Sequence, residues 1–402
     1  MRRFVLIVLL LVTALSTGIS AVHAQQASQL QVSNLGITYE FGNYIIFQAQ
    51  INLATLPSEA YLLFRADGED LTHVIPISLD NQGNTSQQYN MSEGLVRPYS
   101  TVRFHYRIKL QTGEELTSEE YFFQYEDNRF SWQTLTAGII TLHWYQGDLS
   151  FGQAALDVAE RGLKKIEELL LVSPTDPINI YIYATGADQD KALEIGGLSS
   201  SVGGHASPDL RLAFVSIAPG LDQGLEMDQK IPHEMAHIFT YGLLAERYSL
   251  LPVWLSEGLA SQFELASNPD YPLALQKASD QGAVIDMADL CGAFPPERGR
   301  QFLAYAQSES FTRYIIDKYG QTGLLALISA YGDGQDCSQG MQRSIGQSLT
   351  QVETDWRTAV LGENAGWTAL KKLFPYLAIL FVLLTVSLIS AFSVKRSNND
   401  GE

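Results

Sequence analysis

Ile231-Pro232-His233-Glu234-Met235-Ala236-His237-Ile238-Phe239 sets two histidines four residues apart among apolar neighbours. Four residues of α-helix turn through about 400°, so His233 and His237 share one face and can offer two imidazole nitrogens to one tetrahedral metal ion. Glu234 lies beside them. From its azimuth it reaches a water at such an ion better than the ion itself, which is the position of a general base in metal-dependent hydrolysis. Met235, Ala236, Ile238 and Phe239 supply the dry walls in which a metal-polarised water is most reactive. With seven histidines in 402 residues, chance produces this pattern in only about 1% of such chains, so two unrelated core histidines are the weaker reading.

Catalytic zinc takes three protein ligands and keeps a fourth position open. Downstream runs Leu251-Pro252-Val253-Trp254-Leu255-Ser256-Glu257-Gly258-Leu259-Ala260-Ser261-Gln262-Phe263, in which Pro252 can open a second helix carrying Glu257 in its first turns. The 20 residues from His237 to Glu257 leave room for one helix to end and an antiparallel neighbour to return a carboxylate. No histidine or aspartate follows His237 directly, so the metzincin continuation is absent.

These residues resemble the gluzincin metallopeptidases, in particular bacterial proteins with a peptidase-MA-like domain. The resemblance is carried by Ile231-Pro232-His233-Glu234-Met235-Ala236-His237 and Trp254-Leu255-Ser256-Glu257-Gly258-Leu259-Ala260, with looser similarity over 130–360 that includes Tyr305-Ala306-Gln307-Ser308-Glu309-Ser310-Phe311. It implies that His233, His237 and Glu257 bind Zn2+ and that Glu234 activates water. Some gluzincins stabilise the oxyanion with a tyrosine or histidine, which makes Tyr305 and His205 candidates. Ser261 and Glu264 follow Glu257 by one and two helical turns; either could hold an imidazole N–H or stay a solvated polar residue, and Glu264 is the spare ligand if Glu257 is not one.

The rest of the chain falls into zones. Residues 30–126 show short alternating segments between turn signals such as Asp67-Gly68-Glu69 and Asn81-Gln82-Gly83-Asn84, the pattern of an all-β sandwich of immunoglobulin or fibronectin type. His73 and His105 stand alone there and suggest no site. From 129 the pattern changes to strands at 139–144, 178–183 and 210–217 around a helix at 151–172, then to helices over 223–361. The strand at 210–217 alternates, and is either an ordinary sheet strand or an edge along which an extended peptide lies.

The fold class expected is therefore α+β: a zincin-like domain of mixed sheet plus helical lobe over 129–365, preceded by the sandwich over 25–128 and followed by one transmembrane helix. That helix is read from 373–394, 22 almost wholly apolar residues that would reach about 33 Å. Met1-Arg2-Arg3, an apolar run and Val22-His23-Ala24 read as a signal peptide over 1–24, with an uncleaved anchor as the rival. Together these ends imply a single-pass membrane protein with its bulk outside the cytoplasm and a short cytoplasmic tail at 395–402. Cys291 and Cys337 fall in the exported part, where a disulfide between them is permitted.

A net charge of −18 without a basic run excludes phosphate-backbone binding, so no nucleic acid is expected as partner. It also raises the expectation of basic peptides in the cleft. The function expected is a membrane-anchored extracytoplasmic zinc-dependent peptidase acting on peptide or protein substrates. Two readings stay open beside it: a surface binding or adhesion protein with a vestigial or structural metal site, and a metal hydrolase of a non-peptide bond.

Overall fold

The computed structural model describes residues 30–55, 57–195, 204–363 and 373–386. The expected signal peptide over 1–24 and tail over 395–402 lie outside the described residues. The chain divides into two compact units, Met1–Tyr125 and Glu126–Glu402.

Period-two alternation builds the first unit. Its strands are β1 (Val32–Glu40), β2 (Tyr44–Ile51), β3 (Glu59–Ala66), β4 (His73–Pro76), β5 (Asn84–Asn90), β6 (Ser100–Lys109), β7 (Glu115–Thr117) and β8 (Tyr121–Tyr125). One sheet runs β1-β2-β5; the other runs β4-β3-β6-β7, with β8 also paired to β6. Alternate residues of β2 and β6 are buried, and Phe47 of β2 meets Phe64 of β3 at 5.1 Å and Phe104 of β6 at 5.3 Å. The inner faces thus interdigitate as in a sandwich. Gly83 has φ +80°, and an added Cβ there would come 2.1 Å from the Ile51 carbonyl oxygen. Only glycine fits that turn.

The second unit starts with β9 (Gln133–Ala137), β10 (Ile140–Trp144), α1 (Leu149–Leu170), β11 (Ile178–Tyr183), α2 (Gly186–Ile195), β12 (Gly204–Ser207) and β13 (Leu212–Ser216). It continues with α3 (Gln223–Leu244), α4 (Val253–Phe263), α5 (Tyr271–Gln281), α6 (Arg298–Gly332), α7 (Cys337–Ile345) and α8 (Leu349–Val360). The sheet order is β12-β13-β11-β10-β9. The β10–β11 and β11–β13 pairs are parallel and the outer two are antiparallel, so the sheet is mixed, with a helical lobe after it. The strand over 210–217 is accordingly not an edge: β13 has a neighbour on each side, and β12 takes the edge.

Asp148 caps α1 by accepting the Phe151 N–H at 3.1 Å. Apolar residues of α1 pack with the inner face of the sheet and with α3 in one core. Gly162 makes that approach possible, since a Cβ there would sit 2.9 Å from the Pro232 Cβ. Along 234–240 α3 is buried on every side, the signature of a central helix. A kink at Gly320 (φ 69°) divides α6. A disulfide joins Cys291 to Cys337; closing 46 residues removes about 4 kcal/mol of unfolded-chain entropy.

The expected transmembrane helix over 373–394 is corrected, and with it the single-pass membrane location. Among the described residues no helix is long and apolar enough to cross a membrane. The helix described at 373–386 has 14 residues, about 21 Å against a hydrocarbon core of about 30 Å. The sequence reading took 22 apolar residues as one helix; positions 387–394 lie outside the described residues.

Candidate metal centre

Two helices and the turn between them build the site. α3 carries His233, Glu234 and His237; the 3-10 turn Ala245–Leu250 reverses the chain; α4 returns with Glu257. Gly258 seats α4 closely on α6, because a Cβ there would lie 2.3 Å from both the Ser308 carbonyl oxygen and the Thr312 Oγ1. At the far end of α4, Lys165 donates to the Glu264 carbonyl at 2.8 Å, and the Leu265 N–H donates to the Asp228 carbonyl at 2.8 Å. These contacts fix α4 against α1 and α3.

The three side chains converge. His233 Nε2 lies 3.3 Å and His237 Nε2 3.8 Å from the same oxygen, Glu257 Oε2. One ligand atom from each of the three lies within 4.8 Å of the others, and among the described residues no other histidine, cysteine or acid group does this. Tetrahedral ligands at 2.0–2.2 Å from zinc stand about 3.3–3.6 Å apart, so the donor set and its spacing fit such an ion.

The other imidazole nitrogens are held from behind. His233 Nδ1 is 3.1 Å from Glu264 Oε1. His237 Nδ1 is 2.8 Å from the Tyr248 hydroxyl, which is 3.0 Å from Ser256 Oγ. In the tautomer with Nδ1–H donating to these oxygens, both Nε2 lone pairs are left for a metal. Glu264 is thus placed as a partner of His233 rather than at the ligand position. Ser261 is not brought in: its hydroxyl is buried and has no hydrogen-bond partner among the described residues. Tyr248 and Ser256 were missed by sequence reasoning. Ser256 adjoins Glu257, a usable hint, whereas Tyr248 sits in a turn that no periodicity marks.

Charge follows from burial. Burial pushes the Glu234 carboxyl up to about 8, with His233 opposing and Glu257 and Glu264 adding to it. Burial drives His237 down to about 4, so its imidazole stays neutral. For His233 burial works the same way, but bonds to Glu257 and Glu264 outweigh it and raise the ring well above its usual value. The Glu257 and Glu264 carboxylates on either side of the His233 ring make a pocket that attracts positive charge.

The site opens into a cavity of about 1010 Å³. Glu234 faces β12 there: a Cβ on Gly204 would come 2.1 Å from its Oε1. His205 and Tyr305 both line the cavity. Burial, reinforced by Glu257 and Glu234, keeps the Tyr305 phenol protonated, and burial keeps His205 neutral.

A family model described as the Peptidase MA superfamily matches residues 158–362. No curated protein matches the chain. Among solved structures, an aminopeptidase N family protein from Idiomarina loihiensis is similar at 9% identity over 84% of this chain and 75% of its own, with a TM-score of 0.37. A chain described as a myokine structure is similar at 10% identity over 25% of this chain and 99% of its own, TM-score 0.20. A family 56 carbohydrate-binding module that binds β-1,3-glucan is similar at 5% identity over 23% and 98%, TM-score 0.17. Likenesses this slight carry no argument about fold or activity.

Proposed function

The chain belongs to the peptidase MA superfamily, and from that premise we propose that it is a zinc-dependent peptidase of gluzincin type. The observation that carries the reading is the convergence of His233 Nε2 and His237 Nε2 on one oxygen of Glu257. Zinc held by those three atoms would polarise a scissile carbonyl and bring the pKa of a water near neutrality.

The chain's own residues supply the rest. Glu234 accepts the proton of the attacking water and returns it to the leaving amine. Its burial favours the protonated form, and a dication held by the three ligands would oppose that, so that the group could both take and give a proton near neutral pH. Glu264 and Tyr248 hold the two imidazoles so that their geometry is set before substrate arrives. Tyr305, on the cavity wall, is the donor proposed for the developing oxyanion. Apolar residues of α3, Met235 and Ile238 among them, are buried and exclude water from behind the site.

Elemental analysis of the purified chain after incubation with zinc tests the first step. About one zinc per chain is expected, and a chain that retains none sinks the proposal. Cleavage of a random peptide library separates a peptidase from a non-peptide hydrolase or a binding module; loss of every cut in Glu234→Gln, with zinc retained, assigns the chemistry to this site.

A further inference from the structure

The cavity that holds the metal ligands is lined by four acids, Asp190, Glu234, Glu257 and Glu264, in a chain of net charge −18. Such a lining repels carboxylates. Two cations also line it, Lys230 and Arg298. Lys230 is engaged: its ammonium donates to the Ser216 carbonyl at 2.7 Å and to Glu226 at 3.1 Å.

Arg298 is not engaged. The first residue of α6, it is exposed and forms no hydrogen bond or ion pair among the described residues. Glu297 precedes it but does not line the cavity. The wall that Arg298 shares is aromatic: Phe302 lies one turn further along α6 and meets Tyr271 at 5.2 Å, and Tyr305 meets Phe294 at 5.0 Å. Phe302 and Tyr305 line the same cavity.

A guanidinium carries five donors in a planar fork that matches the two oxygens of a carboxylate. Left in water it costs little. Once a peptide fills the cavity and displaces that water, the same guanidinium is partly desolvated and needs an anionic partner, which none of the described residues supplies. Resting on the peptidase reading of the site, we infer that Arg298 makes the cleft select peptides bearing a carboxylate, bound by this guanidinium against the aromatic wall. The preference runs against the chain's net charge and against the basic peptides that its acidity alone suggests. The carboxylate has two sources, an Asp or Glu side chain or the peptide's own C-terminus.

Binding of fluorescent heptapeptides to the full-length Glu234→Gln chain, loaded with zinc and read by anisotropy, tests this without turnover. One set places Asp, Asn or Lys at each position in turn with both ends blocked; a second compares a free C-terminal acid with its amide. At one position of the first set, or for the free acid of the second, the carboxylate form is expected to bind about tenfold tighter than its neutral counterpart. Arg298→Glu on the same background is expected to invert that ratio in favour of Lys. Arg300→Glu places the same charge reversal on α6 outside the cavity lining and is expected to leave the ratio alone. A ratio near one in the parent chain, or equal effects of the two reversals, overturns the assignment of Arg298. If peptides of every charge fail to bind, the peptidase reading itself falls.

Discussion

His73 in the first unit and His237 in the second have much the same company, and only His237 stands in a group that could hold a metal ion. His73 Nδ1 is 3.1 Å from the Tyr89 hydroxyl, its Nε2 is 3.9 Å from Glu69, and its ring stacks on Phe64 at 4.6 Å. His237 Nδ1 is 2.8 Å from the Tyr248 hydroxyl and its Nε2 is 3.8 Å from Glu257. An imidazole, a phenol and a carboxylate are therefore not enough. His237 differs because His233 stands one helical turn away, with ring centroids 5.1 Å apart, and both aim Nε2 at one oxygen. A tetrahedral ion needs at least three converging donors to offset the loss of its water. His73 is placed as a packing residue with a satisfied ring.

Removing either histidine separates the two environments most clearly. His237→Ala is expected to lose zinc and with it all detectable cleavage, whereas His73→Ala should keep the full metal content; atomic absorption on both variants decides it. A His73 variant that also lost its zinc would show the comparison to be misdrawn. Next in size is Glu234→Gln, for which cleavage should fall by about 10²–10⁴-fold with zinc retained, the range set by removal of a general base.

The two tyrosines sharpen the contrast further. Tyr248→Phe removes the nearer of the two hydroxyls behind His237, leaving Ser256 Oγ at 3.4 Å, and is expected to weaken zinc binding by about 10- to 100-fold in competition with a chelator of known affinity. Tyr89→Phe, which loses a bond donated to the Gly94 carbonyl at 3.0 Å, should leave zinc affinity unchanged and cost about 1 kcal/mol of stability in urea unfolding.

The smallest effect is one of pH on the metal-free chain. Glu234 sits near 8 when folded and about 4.3 when unfolded, and His233 is raised well above its usual value. Both bind more protons folded than unfolded, so the stability they contribute is present at low pH and lost as pH rises through their folded values. His237, lowered to about 4, acts in the opposite sense, but only below its unfolded value of about 6.5. The Tm of the metal-free chain should thus decline between about pH 6.5 and 8, and zinc should abolish the decline. A flat or rising profile without metal would contradict the electrostatics derived for this pocket.

The features legible in the sequence are local. Four-residue spacing on a helix puts His233 and His237 on one face whatever surrounds them, and alternation over 30–126 marks the two faces of each strand. Longer-range relations were less legible. Glu264 was open between ligand and supporting residue, and its contact with His233 Nδ1 depends on how α1 holds the end of α4. The strand at 210–217 was open between an ordinary sheet strand and an edge, because alternation marks a strand's two faces and says nothing about its neighbours; β13 lies inside the sheet. At 373–394 hydropathy counted apolar residues without showing how many belong to one helix.

The helix that carries His233, Glu234 and His237 is written into the amino-acid order, since helical phase is set within a few residues. Only the tertiary structure decided which distant groups complete it. Glu257, Glu264, Tyr248 and Arg298 reach one cavity through the packing of α3, α4 and α6 around small residues such as Gly258, and close packing between elements far apart in the chain leaves no periodic trace in the order of amino acids.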